Sequence, residues 1–261
     1  MSIRVILKKI IPPRMWYYLK EQLKQNNDEI YIAKKFFGDK KGGTMIDVGA
    51  CHGTALMPFA LRNWEVFGFE PDNENYAVLD SYLRKWNYYK NISISQNAVS
   101  NEVKTLKFYK SKESIGISSL NDFHKGHYFS HEVQTTTLDI FTEENKLNNI
   151  DFLKIDTEGY DLFVLKGLDF KKLSPSFILC EFEDKKTEGL GYTAKDMVEY
   201  LQNQGFGVVI SIWHPITKYG ESHNWDKFTV NIDDVGENAW GNILAVKQED
   251  YDHLKQIVNI K

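Results

Sequence analysis

Short apolar runs alternate with amphipathic segments through the middle of the chain. The first run, residues 44–48, ends in a glycine turn and leads into a predicted helix at about residues 54–62. Two further apolar runs, NWEVFGFEPD and ISISQNAVS, are predicted strands, and a predicted helix from Asn73 to Trp86 lies between them. The order strand, helix, strand, helix, strand predicts an α/β fold built on a parallel sheet.

The later part of the chain departs from this alternation. VKTLKFYKS predicts an extra strand, a loop rich in Ser and Gly follows, and FHKGHYFSHE is a segment without strong periodicity. The predicted elements after it are a fourth strand with an acidic turn and a helix in IDFLKIDTEGYDLFVLKGL, a fifth strand in PSFILCEFE, a helix in GYTAKDMVEYLQNQGF, and two final strands in VVISIW and NILAVK.

We divide the chain into two parts on this pattern. Residues 1–40 are predicted to form a helical cap, interrupted by Pro12 and Pro13, with a basic and aromatic membrane-surface helix as the alternative. Residues 41–261 form the main domain. Within it, residues 214–241 are an aromatic insertion that we interpret as an acceptor-side loop, because loops of this length usually serve binding.

Composition narrows the class of protein. The 261 residues suit one α/β domain with additions, and 42% hydrophobic content fits a globular protein with a real core. The net charge of −4 gives no support for nucleic-acid binding. Cys51 and Cys180 lie far apart without metal-ligand spacing, which favours structural thiols in a reducing compartment. No apolar run approaches the about 20 residues that span a bilayer and no signal peptide is evident, so we expect a cytoplasmic location.

The glycine turn after the first strand indicates the kind of cofactor. It has a carboxylate at Asp47 and glycines at Gly49 and Gly53, so it lacks the G-x-G-x-x-G spacing of a dinucleotide site. A carboxylate there would repel a pyrophosphate and would suit an ammonium group. Glu70 ends the next strand about 20 residues on, where an acidic residue accepts hydrogen bonds from ribose hydroxyls. An adenosine that carries an amino-acid tail meets these conditions, which indicates S-adenosylmethionine.

Several motifs resemble those of one methyltransferase family. The most specific is FLKIDTEGYDLFVLKG, Phe152 to Gly167, which is similar to the block D-x-E-G-x-[DE]-x-x-V-L-x-G of the FkbM family. The supporting motifs are IDVGACHG, FEPD, QNAVS, SSL, TLD and the fifth strand ending in CEFE. The resemblance covers roughly residues 42–184. It implies a Rossmann-like class I methyltransferase fold, with a mostly parallel seven-stranded sheet whose last strand is antiparallel and with helices on both faces.

The resemblance also implies roles for the residues of the cofactor site. Asp47, Gly49 and Gly53 would hold the methionine end of the cofactor, Glu70 the ribose, and Asp156 would lie beside the sulfonium. The remaining predicted cofactor residues are His52, Pro71, Asn97 and Ala98, of which the last two would border the adenine.

The acceptor side offers several candidate bases. These are Asp156 and Glu158 in the turn after the fourth strand, Glu183 at the end of the fifth, and His214 after the sixth. For Glu158, the alternative is an acidic residue that stabilises a helix N-terminus. Glu181 and Glu183 are expected to point to opposite faces of their strand. The single histidine could equally be an ordinary surface or core residue.

No metal site is predicted. His124, His127 and His131 are expected to be exposed loop histidines, although a metal cluster is an alternative. A divalent cation held by Asp156, Glu183 and His214 is a second alternative. Two further groups remain as acceptor contacts or as structural residues: the serines Ser118 and Ser119, and the aromatic residues Trp213, Tyr219, Trp225, Phe228 and Trp240.

The leading hypothesis for function is an O-methyltransferase that uses S-adenosylmethionine and acts on a sugar hydroxyl. The sugar would belong to a glycan or a nucleotide-linked sugar, for example in surface polysaccharide biosynthesis. The alternatives are O- or N-methylation of a lipid or secondary metabolite, a nicotinamide-dependent sugar oxidoreductase, and a binding module without activity. We expect a small-molecule or glycan partner and no nucleic acid, and the sequence leaves a homodimer open.

Overall fold

The structure, a computed structural model, describes residues 27–88, 90–113, 115–216 and 223–260. Most of the predicted N-terminal cap and Tyr219 therefore lie outside the described residues. The described end of the cap forms a helix, Glu29–Phe36, which begins where the Asp28 side chain accepts a hydrogen bond from the backbone N–H of Tyr31. No helix in the described part of the chain is both long and apolar enough to span a membrane.

The helices and strands are numbered separately along the chain. The strands are β1 (Thr44–Val48), β2 (Glu65–Phe69), β3 (Ile92–Ser95), β4 (Ala98–Val99), β5 (Thr105–Ser111), β6 (His127–Thr136), β7 (Phe152–Ile155), β8 (Phe177–Glu183), β9 (Phe206–Trp213), β10 (Trp225–Thr229) and β11 (Trp240–Lys247). The α-helices are α1 (Glu29–Phe36), α2 (Met57–Ala60), α3 (Asn73–Trp86), α4 (Leu138–Glu144), α5 (Asp161–Lys166), α6 (Asp184–Thr187), α7 (Ala194–Asn203) and α8 (Tyr251–Ile257).

Eight strands form one large sheet in the order β10-β9-β11-β8-β7-β1-β2-β3. The pairs from β8 to β3 are parallel, and β11 runs antiparallel to both β8 and β9. The predicted class of fold and its antiparallel last strand are therefore confirmed. Because β1, β2, β7, β8 and β9 run in the same direction, their carboxyl ends meet at one edge of the sheet.

The number of strands in this sheet differs from the predicted seven. The eighth strand is β10, which comes from the predicted insertion at residues 214–241 and pairs antiparallel with β9. This stretch was predicted to be a loop because of its length between two predicted strands. A bulge between Trp225 and Lys227 shifts the register of β10, so its side chains do not keep a regular alternation.

A second, three-stranded sheet in the order β4-β6-β5 lies beside the large one. The predicted third strand ISISQNAVS is therefore divided, since it ends at Ser95 and its last part, Ala98–Val99, pairs with β6. The expectation that His127 and His131 are loop residues was wrong, because both lie on β6. Phe108 and Tyr109 of β5 pair with His131 and Phe129, so Ser130 is an extra residue on β6 and interrupts the alternation that would have indicated a strand.

The hydrophobic core lies on both faces of the large sheet. Neighbouring residues alternate between the faces, so Met45 and Phe152 pack on one side while Ile46 and Leu153 pack on the other. Burial on both faces explains why the strands read as continuous apolar runs in the sequence. The polar residues of these strands cluster at the carboxyl edge, where the candidate site lies.

Candidate active site

A cavity of about 220 Å³ lies at the carboxyl ends of β1, β2 and β7. Its apolar wall includes Phe69, Pro71, Ala98, Val99 and Phe108. Its polar wall includes Glu70, Asn75, Ser118, Ser119, Asp156, Thr157 and Glu158. The cavity therefore joins an apolar end next to β2 and β4 to an acidic end at the turn after β7.

The glycine turn after β1 forms the floor of this cavity. Gly49 has a φ of +81°, and a Cβ atom at this position would lie 1.9 Å from the carbonyl oxygen of Asp156. The backbone N–H groups of Gly49 and Ala50 both donate to the carbonyl oxygen of Phe69, at 3.0 and 2.9 Å. A glycine is required here because the turn is left-handed and because the backbones of two neighbouring strands approach so closely.

Glu70 lies at the end of β2 and links two turns of the cavity wall. One carboxylate oxygen accepts a hydrogen bond from the N–H of Cys51 at 2.7 Å, and the other accepts one from the N–H of Asp72 at 2.8 Å. Burial raises the pKa of Glu70 to about 7. Each oxygen can accept a further hydrogen bond, so the carboxylate remains able to receive a ligand hydroxyl.

Asp47 is placed differently from the ligand-facing carboxylate that the sequence suggested. Its side chain is fully buried and does not line the cavity, and its Oδ1 atom lies 3.1 Å from the Nζ atom of Lys154 on β7. The same ammonium lies 3.2 Å from Asp156, whose side chain lines the cavity. Contact between Asp47 and a ligand ammonium remains a prediction, and in the described structure its cationic partner is Lys154.

We expect the Asp47→Ala variant to lose about 3 kcal/mol of stability, because it removes one partner of a buried ion pair. The loss lies at the lower end of the usual range, since Lys154 keeps its contact with Asp156. Urea unfolding measures it, with the exposed Asp226→Ala as the control. From the sequence alone we expected this variant to lose cofactor binding with its fold intact. A wild-type unfolding midpoint would contradict a structural role for the pair of Asp47 with Lys154.

The other predicted cofactor residues divide into two groups. Pro71 and Ala98 line the cavity, whereas His52, Gly53 and Asn97 do not. Gly53 instead allows close packing of the turn, since a Cβ atom there would lie 2.6 Å from the Leu79 side chain. Asn97 is exposed, and its backbone N–H donates to Ser95.

The acidic turn after β7 brings Asp156 and Glu158 to the cavity wall. Asp156 is partly exposed, with 41% of its side-chain surface accessible, while the Glu158 side chain is 15% exposed. Glu158 has a φ of +56°, a left-handed conformation that is unusual for a residue with a side chain. Burial raises the pKa of Glu158 to about 7, against the opposing effect of Lys186. Two of the predicted candidate bases are thus neighbours on the cavity wall.

Lys186 is a buried residue beside the cavity wall that was not singled out from the sequence. Its side chain is 2% exposed and its Nζ atom contacts carboxylates of Glu158 at 2.5 Å and of Glu181 and Glu183 at 3.0 Å each. The expectation that Glu181 and Glu183 point to opposite faces was wrong, because side chains two residues apart on a strand share a face. The sequence does contain a signal for this cluster. Two acidic residues, Glu181 and Glu183, alternate at the end of the predicted strand, and Lys186 follows shortly after them.

A roof over the cavity comes from the connection between β5 and β6. The Ser119 hydroxyl, which is 1% exposed, donates to the carbonyl oxygen of Glu158 at 2.8 Å. The side-chain amide of Asn121 donates to the carbonyl oxygen of Lys186 at 2.6 Å. The predicted Ser118 and Ser119 therefore both line the cavity, and Ser119 also fixes the acidic turn.

The remaining acceptor-side candidates lie at the same edge of the sheet but outside the cavity wall. His214 follows β9 and is exposed. The rings of Trp213 and Trp240 lie beside each other with centroids 5.4 Å apart, and Trp240 is the register partner of Glu183. Trp213 also donates from its indole N–H to Glu29 at 2.9 Å.

The predicted alternatives for metal binding have a different outcome in each case. Among the described residues, three potential ligand side chains lie close enough together to share a metal ion: Asp156, Glu158 and Glu181. The predicted set of Asp156, Glu183 and His214 is not brought together in this way. The Lys186 ammonium already contacts two of these three. His127 has a buried ring whose Nε2 atom lies 2.8 Å from the carbonyl oxygen of Ile117, so it fixes the roof.

The fold and the cavity together define a class of protein. The strand order, with one antiparallel strand near the end of the sheet and a carboxylate-lined cavity at the carboxyl ends of β1 and β2, is that of a class I S-adenosylmethionine-dependent methyltransferase. The family model of the methyltransferase FkbM domain matches residues 47–208, which is more than half of the chain. The chain therefore belongs to the FkbM family of S-adenosylmethionine-dependent methyltransferases, and this removes the nicotinamide-dependent oxidoreductase from consideration.

Solved structures that resemble the chain are distant. Methyltransferase FkbM from Methylobacillus flagellatus KT matches with a TM-score of 0.49 and 15% identity over 79% of this chain, which spans only 44% of that protein's chain. Precorrin-6y C5,15-methyltransferase from Geobacter metallireducens GS-15 matches with a TM-score of 0.43 and 14% identity, covering 84% of this chain and 88% of that one.

A third structure is TrmK from M. capricolum in complex with S-adenosyl-homocysteine, with a TM-score of 0.46 and 9% identity, covering 85% of this chain and 68% of that one. No curated protein matches the chain. The assignment to the family accordingly rests on the family model and not on these structures.

Proposed function

We propose that this protein transfers a methyl group from S-adenosylmethionine to a hydroxyl oxygen of a sugar, in a glycan or a nucleotide-linked sugar. The observation that carries the proposal is the place of the Glu158 carboxylate on the cavity wall next to Asp156, where burial raises its pKa to about 7. A hydroxyl acceptor must lose its proton during transfer, and a base with a pKa near the working pH is best suited to take it. The pair of Trp213 and Trp240 at the same edge of the sheet supports a sugar acceptor, since aromatic faces pack against sugar rings.

The cavity residues fit this cofactor. Glu70 would accept hydrogen bonds from the ribose hydroxyls, and the apolar wall that includes Ala98 and Phe108 would hold the adenine. The partly exposed Asp156 would face the positively charged end, and the Gly49 turn leaves the backbone free of side-chain atoms there. When bound, S-adenosylmethionine supplies a methyl group that is already activated on a sulfonium centre.

The protein's own residues would then align the acceptor and remove its proton. Glu158 would accept the hydroxyl proton on a carboxylate oxygen while the acceptor oxygen forms its new bond. Ser119 would keep the acidic turn in place through its hydrogen bond to the Glu158 carbonyl oxygen. The roof formed by residues 115–123 would limit access of water, which would otherwise compete as acceptor.

We propose further that the acceptor binds toward β8, β11 and β9. The end of the insertion places Trp240 beside Glu183 in the sheet, and Trp213 is the other register partner of Trp240. In this arrangement residues 214–241 contribute to the acceptor side through the start of β11. Glu183 is buried against Lys186, so it would act through that lysine and not as the base.

The pH dependence of the reaction follows from Glu158. A base must be ionised, so kcat is expected to rise with pH, to reach half its maximum near pH 7 and to level off above about pH 8, because burial raises the pKa of Glu158 to about 7. The measurement uses saturating cofactor, so that Glu70, whose pKa is also raised to about 7, does not affect the profile through cofactor binding. A carboxyl with an ordinary pKa would instead give a plateau from about pH 5.5 upward, and that profile would contradict the proposed base.

An acceptor screen tests the proposed function. Cofactor labelled in the methyl group is incubated with the protein and with sugar nucleotides, oligosaccharides, lipids and amines in separate reactions. Incorporation into sugar nucleotides or oligosaccharides is expected. Incorporation only into lipids or only into amines would overturn the sugar assignment in favour of a lipid or an amine acceptor.

A further inference from the structure

The ammonium of Lys186 lies at the centre of the acidic side of the site. Its contacts with Glu158, Glu181 and Glu183 join the cavity wall to the end of β8. Only Glu158 of these three carboxylates lines the cavity. Glu158 therefore lies between Lys186 and the proposed acceptor, and the lysine does not touch the acceptor.

The local fold holds this lysine in one position. Lys186 lies in α6, directly after β8, and its carbonyl oxygen accepts the 2.6 Å hydrogen bond from Asn121. A Cβ atom at Gly159 would lie 3.0 Å from the Cβ atom of Lys186, so the absence of a side chain there lets the lysine pack against the acidic turn. The ring of Phe123 lies 5.9 Å from Nζ on the roof side.

Negative charges outnumber positive charges around Lys186. Three carboxylates share one ammonium, and the further charged groups that act on Glu158 are Asp156 and Asp161. A carboxylate that is buried among like charges resists ionisation, whereas an ammonium in contact with it favours ionisation. Burial and the neighbouring carboxylates raise the pKa values of Glu158 and Glu181, and the ammonium of Lys186 lowers them.

We propose that Lys186 is a positioning residue for methyl transfer: it holds Glu158 against the cavity wall, with Glu181 and Glu183 fixing the ammonium from the other side, and so keeps Glu158 able to take the acceptor proton. The inference rests on the proposed function, in which Glu158 faces an acceptor hydroxyl. It adds a residue that is needed for the reaction without touching acceptor or cofactor.

Lys186→Met tests this role, with Lys186→Arg as the conservative variant and the exposed neighbour Lys185→Met as the matched control. Without the ammonium, the pKa of Glu158 is expected to rise by about 1 to 3 units. The kcat at pH 7 then falls by about 5-fold or more and recovers in part at pH 9. Affinity for S-adenosylhomocysteine changes by less than about 3-fold, since the cofactor residues are untouched. Lys186→Arg restores the charge and moves the profile back toward that of the wild type.

A direct titration separates this inference from the identity of the acceptor. The carboxyl carbon of Glu158, assigned by its loss in Glu158→Gln, is followed by NMR from pH 5 to pH 10 in ¹³C-Glu-labelled protein without any substrate. An upward shift of its midpoint in Lys186→Met, and none in Lys185→Met, supports the positioning role whichever acceptor is used. An unchanged midpoint, or an unchanged pH profile of kcat, overturns it.

A second variant covers the case in which Lys186→Met does not fold. Lys186→Met with Glu183→Gln removes one positive and one negative group, so the net charge of the cluster stays as in the wild type. The midpoint of Glu158 is still expected to rise, because the ammonium in contact with it is gone. A wild-type midpoint in this double variant overturns the inference, while methylation of nitrogen alone would overturn the proposed function and leave the titration result standing.

Discussion

Replacing Glu158 with glutamine is expected to lower kcat by about 100- to 10,000-fold, the range that a positioned general base contributes. Glutamine keeps the size and the hydrogen-bonding capacity of the side chain but cannot accept the acceptor proton. The pH dependence centred at about pH 7 should disappear with it, because the group responsible no longer titrates. Steady-state kinetics across pH, with a sugar acceptor identified in the screen, measures both effects.

The Glu158→Gln variant needs evidence that its site is intact. Calorimetric titration with S-adenosylhomocysteine should give an affinity close to that of the wild type, since glutamine leaves Glu70 and the Gly49 turn unchanged. Glu188→Gln, an exposed glutamate at the surface, is the matched control and should keep full activity. A Glu158→Gln variant with wild-type kcat would show that another group removes the proton, or that none is needed.

Gly49→Ala is expected to lower the free energy of unfolding by about 4 kcal/mol or more, which is among the largest effects of a single substitution. The added Cβ would lie 1.9 Å from the carbonyl oxygen of Asp156, a backbone atom that cannot rotate away, and alanine disfavours the φ of +81°. The β1 and β7 turns must therefore separate, which also displaces Asp156 from the cavity wall.

The matched control for this substitution is Gly189→Ala. Its added Cβ has no atom within 4 Å, and its φ lies outside the left-handed region. Urea unfolding should show a large drop in midpoint for Gly49→Ala and little change for Gly189→Ala. If Gly49→Ala instead unfolds like the wild type, the close approach of the two turns is not a constraint on the fold.

Local patterns were sufficient for the parts of the fold in which sequence neighbours decide the structure. The helix from Asn73 to Trp86 was predicted at its observed ends, because Asp72 caps its start and Asn87 adopts the left-handed conformation at its end. The glycine turn and the position of Glu70 were likewise visible, since each follows directly from the end of a strand.

Contacts between distant parts of the chain were not visible in the same way. The pair of Asp47 with Lys154 and the cluster around Lys186 depend on the order and register of strands, which no local pattern contains. Asp47 was therefore predicted to contact the ammonium group of a ligand, whereas Lys154 of β7 places an ammonium beside it.

Irregular pairing explains the misassigned strands. The bulges in the β5–β6 pair and in the β10–β9 pair break the alternation that identifies a strand, so β10 and the histidine-containing first part of β6 were expected to be loops. The error on Glu181 and Glu183 was of another kind, because the two-residue period of a strand already places them on one face. Applied correctly, that period would have indicated an acidic cluster at the end of β8.

The atom that receives the methyl group distinguishes sugar O-methylation from methylation of nitrogen or carbon. The protein is incubated with ¹³C-methyl-labelled S-adenosylmethionine and an acceptor identified in the screen, and the product is characterised by ¹³C NMR. We expect a labelled methyl carbon bonded to oxygen on a sugar ring, with a signal that is lost in Glu158→Gln. A labelled methyl found only on nitrogen or carbon, or an undiminished signal in Glu158→Gln, would contradict it.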